Sequence, residues 1–301
     1  MPRLSIIIPH RGDDQRLEET ILSVLENRPR DCEVVVVHDG SYRDPYELSD
    51  EVIYVQEDPK STAVELLNAG LMAACAPVVC ALLDGTTVSE NWAEPALKRF
   101  ASSTIAAVAP QLKVGHNIIF GISSQAIHNV ASLRSGRVES KDGTAVAPTL
   151  TAGFYRRKSL LTLDGWNEEL SIGSADIELA IMMSDLGMHC ECEPQIIVHA
   201  ANTTPAARKA PATIGELAGI AAAHGFATPS LAATVTSVLT AAFTGTVSSA
   251  LAWSSGLRNA SVLNEVAARL AYSKKQQANT ADAVSIKLYA ENATHQNRKA
   301  A

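Results

Sequence analysis

Pro77-Val78-Val79-Cys80-Ala81-Leu82-Leu83-Asp84-Gly85-Thr86-Thr87-Val88 is an unbroken apolar run that stops at one carboxylate and a glycine. A short run rich in Val and Leu and closed by turn residues reads as a strand buried on both faces. Asp84 then lies at the carboxyl end of that strand, the edge where open α/β sheets bind ligands. An Asp before Gly is also an ordinary turn former, so the neighbouring elements decide between the two readings.

Working outward, Leu4 to Ile8 is a β-branched run that should end at Pro9, and Glu33 to Val37 is a second buried strand closed by His38-Asp39-Gly40-Ser41. Between them, Leu17, Ile21, Leu22 and Leu25 recur at helical spacing behind a cap at Asp13 or Asp14. Val52 to Val55 reads as a strand, and Ser61 to Ala74 as a helix capped by Ser61 or Thr62. After the opening run come a helix over Glu90 to Phe100 and a strand over Ile105 to Ala109. From Lys113 to Val146 the periodicity fades, as in a loop with a short antiparallel insertion. Thr149 to Tyr155, a short helix over Lys158 to Leu163 and a helix over Ala175 to Leu186 follow. Cys190 to Glu193 and Ile196 to His199 read as two further strands. Strands alternating with helices predict a doubly wound, mainly parallel α/β sheet flanked by helices, over residues 1–205.

The composition changes beyond Asn202 to Pro211, and residues 206–301 read as a C-terminal helical extension. Leu217 to Leu257 contains no Asp, Glu, Lys or Arg. Leu231 to Trp253 is long enough for a bilayer, yet Ala, Thr, Ser and Gly dominate it. A buried helix, within the fold or at a homodimer interface, is the first expectation there, ahead of contact with a membrane surface and then of a transmembrane span. Leu263, Val266 and Leu270 mark another amphipathic helix, with Glu265 and Arg269 at i,i+4, and the tail past Asn292 should fray.

The 301 residues carry 19% charged and 47% hydrophobic side chains and a formal net charge of -7. That permits a large core and argues against nucleic acid as a partner. The N-terminus runs directly into a strand rather than a leader, and the five cysteines form no disulfide framework. Both features suggest a cytoplasmic protein with reduced thiols. Cys190 and Cys192 lack a second ligand pair for zinc and read as strand cysteines. The dinucleotide, Walker A, nucleophile-elbow and His-Glu-x-x-His motifs are all missing. What remains is a set of polar residues at element ends: Asp39, Asp84, Asp176 and His199.

Taken in order, these stretches resemble the family 2 glycosyltransferases of the GT-A fold, over roughly Leu4 to Ala200. The resemblance rests on Ser5-Ile6-Ile7-Ile8-Pro9, Val35-Val36-Val37-His38-Asp39-Gly40-Ser41, Asn68-Ala69-Gly70 and Leu83-Asp84-Gly85-Thr86. Gly165-Trp166-Asn167-Glu168-Glu169-Leu170, Ser174-Ala175-Asp176-Ile177-Glu178-Leu179 and Val198-His199 complete the series. It implies transfer of a sugar, with inversion, from a nucleotide-sugar donor to a glycan or lipid-linked acceptor, as in cell-envelope glycan assembly. The implied donor contacts are Pro9, His10, Arg11, Asp39, Asp84 and Thr86, with Trp166, Asn167 and Glu168 on the acceptor side. Asp176 is the implied base, deprotonating the acceptor hydroxyl. A divalent metal, Mn or Mg, is implied on Asp84 with His199 in support. Four departures from the family pattern bear on activity. Thr86 replaces the second acid of the metal motif, Ala175 the Glu beside the base, Leu67 an Arg, and His38 the first Asp of the second-strand motif. A hydroxyl is a poor ligand for a hard cation. A catalytically silent relative that binds a nucleotide, glycan or protein therefore stands beside the enzyme reading. A nucleotidyltransferase is a third reading, with Arg11-Gly12 a thin version of its basic loop.

Overall fold

The computed structural model describes residues 1–129, 132, 137–201, 211–224, 268, 269, 271, 272 and 275. The strands are β1 (Leu4–His10), β2 (Cys32–His38), β3 (Ile53–Gln56), β4 (Val78–Leu82), β5 (Thr86–Val88), β6 (Ile105–Val114), β7 (Asn117–Ile119), β8 (Ala152–Arg156) and β9 (His189–Ala200). The helices are α1 (Asp14–Glu26), α2 (Ala63–Ala73), α3 (Glu94–Arg99), α4 (Ser124–Ile127), α5 (Arg157–Thr162), α6 (Ala175–Asp185) and α7 (Pro211–Ala223). One mixed sheet runs β3-β2-β1-β4-β8-β6-β9-β5, with β7 paired to β6.

The β3-β2-β1-β4 half is parallel, as the alternation predicted. Beyond β4 the sheet is mixed: β8 lies antiparallel to β4 and β6, β9 returns parallel to β6, and β5 closes antiparallel on β9. Period-2 alternation divides the core between the two faces. Ile7 joins Val64, Leu67 and Leu71 of α2 with much of α6 on one face. Ile6 and Ile8 join Leu17, Ile21 and Val24 of α1 on the other, together with Trp92 and Phe154.

Several boundaries move for identifiable reasons. β1 continues through Pro9 to His10, because its ladder with β4 ends at Ile7↔Ala81 and a residue without an N–H is tolerated beyond it. The two strands expected around Pro194 are one strand, β9. Its register on β6 jumps from Pro110↔Glu193 to Gln111↔Ile197, so the proline sits in an irregularity and not at a terminus. The third helix starts at Glu94 rather than Glu90, with Pro95 in its first turn, because Asn91 takes a left-handed φ of 58°. Thr62 is the α2 cap, accepting from Glu65 N at 3.2 Å while Glu65 bonds back to Thr62 N.

The boundary expected near 205 falls among residues 202–210, outside the described set, as do the 225–267 stretch and the tail. Past that boundary α7 buries Leu217, Ile220 and Ala221 in the same cluster as α2 and α6. No described helix is long and apolar enough to cross a membrane.

Gly70 lets α2 lie against β1: a Cβ there would stand 2.3 Å from Ile7 Cγ2 and 3.1 Å from Val37 Cγ2. Gly70→Ala should therefore cost about 1–3 kcal/mol through overpacking, despite the better helix propensity of alanine. Urea unfolding checks this, and an unchanged midpoint would place α2 further from the sheet.

Candidate active site at the carboxyl edge of the sheet

β1, β2 and β4 deliver His10, Asp39 and Asp84 to one edge. His10 is fully buried, with Nδ1 3.2 Å from Asp84 Oδ2 and Nε2 2.9 Å from Asp14 Oδ1. Each ring nitrogen faces a carboxylate oxygen, an arrangement that favours the doubly protonated ring. Burial works against that charge, but the hydrogen bonds to Asp84 and Asp14 outweigh it and raise the His10 pKa above its ordinary 6.5. His38, one strand over, is pushed the other way, first by burial and then by the charge on His10. Tyr42 stands edge-on to both rings, at 5.7 and 6.2 Å, and stacks on Tyr54. The i,i+4 spacing of His10 and Asp14 was the available sequence signal for this bridge. Asp13 turns out to be the α1 cap, which leaves Asp14 to His10.

Asp39 forms an Asx turn, accepting from Ser41 N at 3.1 Å and from Ser41 Oγ at 2.5 Å. Its pKa is depressed, chiefly by the Ser41 hydroxyl, with burial opposing and Arg11 assisting. Arg11 Nε lies 3.7 Å from Asp39 Oδ2, and 45% of the Arg11 side chain is exposed. A solvent-facing cation thus stands at the mouth of the edge.

Asp84 occupies a turn held from several sides. Leu83 N donates to Thr151 O at 3.0 Å, Gly85 N to Thr20 Oγ1 at 2.9 Å, and Ala201 N to Gly85 O at 3.2 Å. Gly85 has φ 77°, which suits a residue without a Cβ. Thr86 is fully buried and its hydroxyl donates to Leu83 O at 2.6 Å. It closes the turn, so the donor contact expected of its side chain is not presented. His199 is exposed on β9, opposite Thr87, and Pro9 is buried in β1. The donor set for a divalent cation is accordingly thin. Asp84 faces His10, Thr86 is turned inward, and among the described residues no group of three or more His, Cys, Asp or Glu could hold a metal. These residues do not fit a cation held by the protein alone.

Asp176, on the first turn of α6, is fully buried and accepts from Leu150 N at 3.1 Å. The next residue, Thr151, carries the carbonyl that receives Leu83 N, so Asp176 and Asp84 are anchored to one short segment. Where the acceptor is expected, the Asn68 amide grips the loop after α5. Trp166 N donates to Asn68 Oδ1 at 2.9 Å, and Asn68 Nδ2 donates to Trp166 O at 2.7 Å and Glu168 Oε1 at 2.8 Å. A Cβ on Gly165 would meet Asn68 Oδ1 at 2.3 Å. Of the three acceptor residues expected here, Trp166 packs edge-on against Tyr155, Asn167 is buried, and only Glu168 faces solvent. The loop borders a cavity of about 410 Å³ whose wall includes Asn68, Met72, Leu161, Glu168 and Arg269.

Solved structures share this fold. The mannosyltransferase PcManGT from Pyrobaculum calidifontis, in complex with GDP-Man and Mn2+, superposes with a TM-score of 0.53 at 17% identity, covering 90% of this chain and 85% of that one. GalNAc-T7 with UDP, GalNAc and Mn2+ gives a TM-score of 0.54 at 15% identity, covering 74% of this chain and 50% of that one. In sequence, the pre-mycofactocin glycosyltransferase of Mycobacterium tuberculosis is 27% identical over 204 residues, 65% of this chain and 42% of that protein. The chain spans 40% to 42% of the length of the curated relatives it matches. Residues 5–163 match the family model for glycosyl transferase family 2, and with over half its length inside that match the chain belongs to this family.

Proposed function

We propose that the chain transfers a sugar, with inversion, from a nucleotide-sugar donor to a hydroxyl of a glycan or lipid-linked acceptor. The observation that carries the reading is that Asp39 and Asp84 follow the two strands flanking β1, at the carboxyl edge of the sheet, while Asp176 bonds Leu150 N beside the residue that holds the Asp84 turn. Asp39 accepts from the ribose or base of the nucleotide, and Arg11 meets the diphosphate. Asp84, held by His10, lies beneath the donor sugar, with Pro9 shaping the floor. Asp176 takes the proton of the acceptor hydroxyl, once acceptor binding has drawn Leu150 away from it. Glu168 receives the acceptor. The relatives with bound Mn2+ leave a cation on Asp84 and His199 as the assignment to test, and no step above depends on it. The protein would work in the cytoplasm, at the membrane surface where the acceptor is lipid-linked.

A second reading, a silent relative that keeps the donor cleft, is favoured by the full burial of Asp176 and by Ala175 in the preceding position.

A thermal-shift screen of UDP, GDP and their common sugars, with and without Mn2+, tests the reading directly. A raised melting temperature with sugar turnover is expected. No binding and no turnover would sink both readings, whereas binding without turnover selects the silent relative. Asp176→Asn should lower turnover about 10²–10⁴-fold, as loss of a general base does, with nucleotide binding retained. Undiminished turnover would move the base elsewhere.

His10 gives a pH dependence. Its folded-state pKa is raised above 6.5, so its stabilisation is fully present below pH 6.5 and is lost as pH rises through the folded-state value. The melting-temperature gap between the wild type and His10→Gln should be widest in that acid range and narrow on the alkaline side. A gap that widens with pH would mean that the ring is neutral in the folded protein.

A further inference from the structure

The acceptor-side loop is held by a residue far outside the family-matched span. Arg269 is 5% exposed, and its Nη2 donates to Leu163 O at 3.0 Å and to Gly165 O at 2.6 Å. Those carbonyls flank Asp164, and Asp164 and Gly165 are consecutive left-handed residues with φ 61° and 70°. A non-glycine residue in that region is strained and persists only where its surroundings hold it. The guanidinium also lies 4.0 Å from Glu178 on α6, a fully buried carboxylate two residues past Asp176. One cation therefore ties the turn that launches the acceptor loop to the helix that carries the proposed base. Nη2 serves both carbonyls while Nε faces the carboxylate, a wider spread of donors than a single ammonium presents. The far end of the same loop is held independently. Glu216 of α7 accepts from Ser171 N at 3.1 Å and Ser171 Oγ at 2.6 Å, and also from Ser174 Oγ, at the start of α6.

We infer that Arg269 is a positioning residue for the acceptor side of the site, setting the Leu163–Glu168 loop and the start of α6 from a segment 104 residues beyond Gly165. The inference rests on the proposed transferase reading for its catalytic consequence, though not for the clamp itself. Removing only the arginine would take a cation from beside a buried carboxylate, so the informative variant is Arg269→Met with Glu178→Gln in the full-length chain.

Two readouts separate positioning from scaffolding. Hydrogen exchange of amides 163–176 should accelerate by about 10-fold or more, while amides of β1 and β4 keep their protection. Turnover of the nucleotide sugar identified in the screen should fall about 10–100-fold in kcat, with its KM and UDP or GDP binding unchanged. Arg269→Lys should fall between wild type and the double variant in both. Unchanged exchange in 163–176 overturns the proposal, as does loss of nucleotide binding in step with kcat. If the double variant loses protection throughout the sheet, Arg269→Lys decides by the same criteria. If the wild type turns over no sugar, the transferase reading fails while the exchange experiment still decides the clamp.

Discussion

A histidine buried between two carboxylates organises the carboxyl edge of the sheet. His10 ends β1, Asp14 opens α1 and Asp84 follows β4, so one side chain joins three elements. A lone buried charge would be costly, and a buried pair repays desolvation only where hydrogen bonds are complete. Here both ring nitrogens are bonded. The arrangement also leaves Asp84 facing a protein cation. Arg11, paired with Asp39, faces solvent at the same edge.

The second organising feature is the turn at Asp84. Thr20, Thr151 and Ala201 bond to it from three separate parts of the chain, and the Thr86 hydroxyl closes it from within. Such convergence makes the carboxylate a fixed point and gives rigidity to the floor of the cleft. The opposite wall is built differently. Asn68 and Arg269 grip the acceptor loop through its backbone, so its course is set by donors and acceptors on other elements.

Much of this was legible in the residues themselves. The Val and Ile runs marked β1, β2 and β4, because a strand buried on both faces must be apolar throughout. Asp39 and Asp84 could be placed at strand ends, since glycine after an acid signals the turn that follows. Less visible was how side chains divide between site and scaffold. Thr86, Trp166 and Asn167 stand at motif positions yet turn inward, because orientation within a turn depends on tertiary partners such as Leu83 O and Tyr155. Arg269 read as one half of an i,i+4 helix pair. Its true acceptors lie about a hundred residues upstream, and no local pattern encodes a contact of that span.

The pairing of β5 with β9 has a consequence for how the chain comes to be folded. Thr86–Val88 is made early, but its partner begins at Val198, so on a ribosome the short strand stays unpaired while more than a hundred further residues are added. Open strand edges template intermolecular pairing, and non-local pairings form slowly. With three residues, β5 presents little edge to a neighbouring nascent chain. The shortness of that strand is therefore protection against aggregation during synthesis, at the very place where the finished sheet closes.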